Sequence, residues 1–167
     1  GELAILTRLP VESVSRVTMP PIETRPILQV SLQVGDRHIR VDNVHLLWLG
    51  YYGYVRYHRH ALVDLGRVAS DKVEQARVIG KSLELNGDQT ILCGDFNGRP
   101  MGPDFAPINS VLQDAFQAAG RGCGFTLARC FRCDYVLAGS RLDATECRTL
   151  NSSGSDHLPV IARFNVR

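Results

Sequence analysis

The chain has 167 residues, 44% of them hydrophobic and 22% charged, which supplies enough apolar mass for a sizeable core and excludes disorder along the whole chain. Nineteen basic residues against 17 acidic ones leave a net charge of +2, too small a bias to point to nucleic acid or a membrane surface on its own. No apolar run is long enough to cross a bilayer as a helix.

In chain order, residues 3–7 have the composition of a core strand. No signal segment precedes them, so the chain is expected to start after elements that lie upstream. A second strand, 14–19, is closed by Pro20-Pro21. Residues 27–34 alternate in part between apolar and polar, and Gly35-Asp36 is a hairpin signal leading into a strand over 38–45. The aromatic and basic stretch 48–60 has no clean period. Residues 65–85 have helical spacing with Val73, Ala76, Ile79 and Leu83 on one side, stopped by Asn86-Gly87. A short strand at 90–93 and a loop at 94–107 precede a second predicted helix, 108–119, with Val111, Leu112, Ala115 and Phe116 inward. Three strands close the chain: 133–137, 145–150 and 158–166. Many strands with two separated helices point to an α+β sandwich, one domain over 1–167, and not to a parallel doubly wound sheet.

The cysteines number five, an odd count: Cys93, Cys123, Cys130, Cys133 and Cys147. Cys93 falls in an apolar strand, where a buried free thiol is expected. The other four share one stretch and include Cys130-Phe-Arg-Cys133. They admit a zinc site, a disulfide such as Cys123–Cys130, or small apolar side chains on adjacent strands. A single C-x2-C lacks the second knuckle of structural zinc, which puts the disulfide ahead of the metal.

The chemistry gathers where polar groups interrupt apolar strands. Asp42-Asn43-Val44-His45-Leu46 closes one strand and Gly94-Asp95-Phe96-Asn97 another. Asp134-Tyr135-Val136-Leu137 opens a third, and Ser155-Asp156-His157-Leu158-Pro159-Val160 a fourth. Side chains at such positions can converge on one rim of a sandwich. Carboxylate and amide oxygens hold a hard cation such as Mg2+. A histidine there acts as general acid or base, and a carboxylate partner fixes its tautomer. Singly, Asp95 and Asn97 are ordinary Asx-turn residues, His45 a satisfied core histidine, and Ser155-Asp156 a cap.

Taken together, Asn-x-His-Leu, Gly-Asp-Phe-Asn, Asp-Tyr-x-Leu and Ser-Asp-His-x-Pro-Val resemble the endonuclease/exonuclease/phosphatase superfamily, which includes DNase I-like nucleases, apurinic-site endonucleases, inositol-phosphate phosphatases and sphingomyelinases. Residues 4–10 are also similar to that family's strand ending in Ser/Thr-Arg-x-Pro. The resemblance spans essentially the whole chain and implies an α+β fold, a four-layer αββα sandwich with its active site at the rim of the two sheets. It implies a Mg2+- or Mn2+-dependent phosphoesterase. On the matching positions, Asp156 would ligate metal, His157 would contact the scissile phosphate and Asp134 would orient it. Asp95 and Asn97 would hold the attacking water, a phosphate oxygen or the metal. His45 would protonate the leaving oxygen with support from Asn43, and Glu2 stands where the DNase I-like branch pairs a carboxylate with this histidine.

Three departures follow from the comparison with that pattern. The family's first two strands, carrying an Asn and a metal-binding Glu, have no counterpart, so the fold is expected to be incomplete at its N-terminal side. Cys133 replaces an aliphatic residue, and Phe131-Arg132-Cys133-Asp134 has Phe where apurinic-site endonucleases have Trp. The stretch 48–60, with Arg99, Arg129 and Arg132, makes nucleic acid the first substrate expected. Small or lipid phosphoesters come second, and an inactive binding scaffold is the rival from outside the enzymes.

Overall fold

The computed structural model describes residues 3–20, 25–48, 61–98, 105–128, 130–151 and 154–167, with the backbone alone at 61–65. β1 (Val11–Val17), β2 (Ile27–Val34) and β3 (Arg37–His45) form an antiparallel run in which Val34 faces Arg37 across the two-residue turn Gly35-Asp36. Gly35 sits at φ 65°, in the left-handed region that this turn requires and that glycine enters without a Cβ clash. The predicted hairpin is therefore present.

After β3 the chain crosses over through α1 (Ala61–Leu83) to β4 (Thr90–Asp95), which lies parallel to β3. α1 buries Val68, the adjacent pair Gln75 and Ala76, then Ile79 and Leu83, so that one stripe at helical spacing faces the sheet. Val73, expected on that stripe, is exposed. Val44, Leu92, Leu137 and Phe96 complete the core beneath the helix, each burial contributing about 2 kcal/mol. β6 (Asp134–Ala138) runs antiparallel to β4, and β5 (Gln113–Asp114) pairs with its far side, so the large sheet is ordered β1-β2-β3-β4-β6-β5.

β7 (Leu142–Thr149) and β8 (Val160–Val166) form a second, antiparallel sheet. Leu142, Phe164 and Val166 from it pack with Ile39, Ile91 and Ala138, which alternate with the residues facing α1. The small sheet thus covers the opposite face of the large one. α2 (Ala106–Asn109) joins α1 on its side, and α3 (Ala115–Ala119) packs along β7. This is the expected α+β architecture of two packed sheets with flanking helices.

Two of the predicted elements fail to form as such. Residues 3–7 form no ladder, and Leu6 lies almost wholly in solvent. The helix expected over 108–119 is broken into α2, β5 and α3. Asp114 accounts for the break: its carboxylate accepts from the Phe116 amide at 2.9 Å, which is N-cap geometry starting a new helix, while its backbone pairs with Leu137. All five cysteines are free, so of the three readings left open for the last four the disulfide, Cys123–Cys130 for example, is not formed. No cysteine joins a metal-ligating group among the described residues. Cys93 is a free thiol as expected, and burial, with the charge of Asp42 adding to it, pushes it up to about 11.

Candidate active site

Three neighbouring strands bring their polar ends to one rim. β3 and β4 run parallel and β6 runs against them, so the last residues of the first two meet the first residue of the third. His45 stands opposite Asp95, and Asp95 opposite Asp134. One register row therefore holds an imidazole and two carboxylates, on the sheet face turned away from α1. Gly94 makes the close approach possible. It has φ 137°, and a Cβ there would lie 1.9 Å from the Val44 carbonyl oxygen, so no larger residue fits between the strands.

His157 reaches this row from the turn before β8. That turn is tied to the start of β6 by Thr126, which is fully buried. The Thr126 carbonyl accepts from the Leu158 amide at 2.7 Å, and its hydroxyl oxygen accepts from the Cys133 and Asp134 amides at 3.0 and 3.1 Å. The result is a 2.8 Å hydrogen bond between His157 Nδ1 and Asp134 Oδ2. An ionised carboxylate only accepts, so the bond places the imidazole proton on Nδ1 and leaves Nε2 for chemistry. Burial alone would push this imidazole down. The hydrogen bond and charge of Asp134, with Asp95 and Asp156 behind it, outweigh burial and hold it above its ordinary value.

The loop after β4 is tightly tied. Asp95 Oδ1 accepts from the Asn97 amide at 2.7 Å, an Asx-turn, and Asn97 adopts φ 47°. Asn97 Nδ2 donates to the Leu46 carbonyl at 2.9 Å, joining this loop to the one after His45. From α1, Lys72 Nζ donates to the Phe96 and Asn97 carbonyls at 3.1 and 2.9 Å, and Gln75 Oε1 accepts from the Leu47 amide at 3.1 Å. Burial pushes the Lys72 ammonium down, against the opposing charges of Asp95 and Cys133.

The expected site residues divide accordingly. Ligand atoms of Asp95, Asp134 and His157 lie within 4.8 Å of one another. His45 Nε2 is 3.7 Å from Asp95 Oδ2, a charge contact too long for a hydrogen bond. Asp156 is exposed and outside that group, its Oδ1 accepting from Ser155 Oγ at 3.3 Å. Asn43 shares the strand and face of His45, but its amide donates to the Ala4 carbonyl at 3.1 Å. Arg132 is no phosphate contact: it is bidentate to Asp114 at 2.6 and 2.7 Å and lies over the rings of Phe116 and Tyr135. Glu2, Arg99, Arg129 and residues 49–60 lie outside the described residues, while Trp48 is half-exposed just past the rim. Lys72, Gln75 and Thr126 were not visible as site residues, because nothing in the sequence marks a single polar residue that ties a loop down.

The donor set fits a hard divalent cation. Asp95 and Asp134 meet at the rim without an arginine partner among the described residues, and carboxylate oxygens, with an amide oxygen such as that of Asn97, are the ligands such an ion takes; Asp156 stands outside this group.

A family profile described as Endonuclease/Exonuclease/phosphatase family matches residues 1–157. No curated protein matches the chain. Among solved structures, a conserved protein of unknown function from Enterococcus faecalis V583 is similar at 19% identity and TM-score 0.71, over 95% of this chain and 68% of that one. D. rerio TDP2 humanized by 14 mutations is similar at 16% identity and TM-score 0.69, over 95% of this chain and 68% of that one. The mannosyl-6-phosphatase of Bacteroides thetaiotaomicron VPI-5482 is similar at 14% identity and TM-score 0.67, over 94% of this chain and 67% of that one. The chain spans about two thirds of the length of each, and at these identities the likeness is one of fold.

Proposed function

The chain belongs to the endonuclease/exonuclease/phosphatase family, and from that membership we propose a divalent-metal-dependent phosphoesterase, residues 1–167 acting as one domain, that hydrolyses phosphodiesters in nucleic acid. The observation that carries this reading is the His45–Asp95–Asp134 row with His157 held on Asp134 at 2.8 Å. Asp134 orients the imidazole, and its charge favours the imidazolium. His157, held on Asp134 through Nδ1, turns Nε2 to the phosphate oxygen on which negative charge builds. Asp95, one oxygen spent on the Asn97 amide, uses the other to align a water for in-line attack. Asn97 has its Nδ2 spent on the Leu46 carbonyl, so its Oδ1 is the acceptor it presents. As the water oxygen bonds to phosphorus it gives up a proton to the Asp95 carboxylate, and as the bond to the leaving oxygen breaks His45 supplies the proton that oxygen takes up, with Asn43 in support. Arg99 contacts a phosphate oxygen. Asp156, Asp95 and Asn97 would hold Mg2+ or Mn2+, which would supply positive charge to the phosphoryl oxygens.

Nucleic acid comes first because half-exposed Trp48 opens a run of aromatic and basic residues beside His45. A small phosphoester is the second reading, favoured by a cavity of about 310 Å3 whose lining includes Asp134, Tyr135, His157 and Pro159. The test is nicking of supercoiled plasmid with Mg2+ and with chelator. Metal-dependent nicking that falls about 10²–10⁴-fold in His157→Ala supports the nuclease. A folded, metal-replete protein that leaves plasmid intact but cleaves small phosphoesters supports the second reading. Wild-type rates in His157→Ala would sink both.

A further inference from the structure

We propose that Lys72 is a positioning residue of this site, one that sets the Asp95–Asn97 turn from the far side of the sheet. The inference rests on the phosphoesterase reading above and names the residue through which α1 acts on it. The donors and acceptors of the turn are divided between two elements. The Phe96 amide donates to the Cys133 carbonyl at 2.8 Å and the Asn97 amide to Asp95 Oδ1 at 2.7 Å, so the donors are fixed to the strands. The carbonyls of the same two residues both accept from the Lys72 ammonium, at 3.1 and 2.9 Å. Two neighbouring carbonyls aimed at one point repel, and a cation between them converts the repulsion into attraction. Asn97 itself sits at φ 47°, in the left-handed region that asparagine enters more readily than most residues with a Cβ. Gly98 leaves the ammonium its room, since a Cβ there would lie 3.1 Å from Lys72 Nζ.

The connection closes on itself. Three residues along α1, Gln75 takes the Leu47 amide, and Leu46, its neighbour, accepts Asn97 Nδ2. A ring therefore runs from Gln75 through Leu47, Leu46 and Asn97 back to Lys72. It fastens to one helix the two loops that flank the His45–Asp95 pair. The hydrogen bonds that Lys72 and Gln75 make here go to backbone groups of the two loops, so each acts through the loops.

The test uses the full chain with Mg2+ and two probes, supercoiled plasmid and bis(p-nitrophenyl) phosphate. Lys72→Met is expected to lower kcat by about 10²-fold with KM nearly unchanged, as for a small misplacement of reacting groups. Lys72→Arg, which keeps a charge and donors, recovers most of the loss. In an Asn97→Ala background, Lys72→Met costs little more, because both changes disable one unit. Independently of turnover, hydrogen exchange of the Asn97 amide speeds up in Lys72→Met while that of β4 amides does not. A loss carried by KM would make Lys72 a direct phosphate contact and overturn the proposal. So would multiplicative effects in the cycle, an arginine variant as damaged as the methionine one, or unchanged Asn97 exchange. If the wild type cleaves neither probe, the phosphoesterase reading falls, and Asn97 exchange alone decides the role of Lys72.

Discussion

The two ends of the large sheet carry similar numbers of charged groups and use them in opposite ways. At the end where β3 and β4 begin, acids are matched with bases: Arg141 with Asp88 at 2.8 Å, Arg167 with Asp143, and His38 with Glu12 at 2.7 Å. At the other end, Asp95, Asp134 and Asp156 gather with two histidines, no arginine among the described residues pairs with them, and the nearest ammonium is spent on carbonyls. The matched end also holds the larger cavity, about 580 Å3 against about 310 Å3 at the rim. Cavity size alone would choose the matched end. Carboxylates gathered in one register row repel one another unless something positive joins them, and that is why the rim is the end proposed as the site.

The largest consequence is a contrast between two equal changes of charge. Asp134→Asn removes the group that orients His157 and should lower turnover about 10²–10⁴-fold while the melting curve stays cooperative. Asp143→Asn removes an exposed partner of Arg167 and should leave turnover at the wild-type rate. Steady-state rates of the two variants, side by side, decide it. Equal losses would mean that the charges matter for folding and not for chemistry.

A smaller effect separates the ends by what they bind. At Mg2+ concentrations about 100 times its dissociation constant, the wild type should gain about 2.7 kcal/mol. In a chain of this length that is a rise of about 5–10 °C in Tm, reversed by chelator. Asp95→Asn should abolish the rise, and Asp88→Asn, at the matched end, should retain it. A rise that persists in Asp95→Asn would place the cation elsewhere.

The rim was legible because its residues come in pairs and triplets at strand ends: Asn43 with His45, Asp95 with Asn97, Asp156 with His157. The register that sets His45, Asp95 and Asp134 in one row was not, since it depends on parallel β3–β4 pairing that no local pattern encodes. Lys72 escaped notice for a related reason. Reading α1 for inward apolar positions selects Val73, which is exposed, and passes over Lys72 and the fully buried Gln75, the two polar residues that tie the loops. Apolar spacing also misled at 108–119, where Val111, Leu112, Ala115 and Phe116 suit a helix but Asp114 caps a new one in their midst. Residues 3–7 are apolar enough for a strand, yet burial is decided by a partner, and Leu6 has none among the described residues.

One acid lies between the two ends and tests whether pairing alone makes a charge structural. Asp42 is fully buried under α1, with Gln29 Nε2 donating to it at 3.1 Å and Arg40 Nε 3.1 Å from its other oxygen. That second contact is close but not aligned, so Asp42 Oδ1 and Arg40 Nε are left without a hydrogen bond. Burial raises the carboxyl above its ordinary value, and Arg40 and Gln29 only partly reverse it. The native state therefore holds this proton more tightly than the unfolded chain does. Stability from it is complete below the unfolded value and is lost as pH rises through the folded one. The effect on Tm should be the smallest of the three. The advantage of wild type over Asp42→Asn should shrink as pH rises from about 4 through the raised value, then level off. Measured across that window with the same buffer series, a difference that grew with pH would show that Arg40 overcompensates burial, so that pairing and not burial sets the behaviour of this acid.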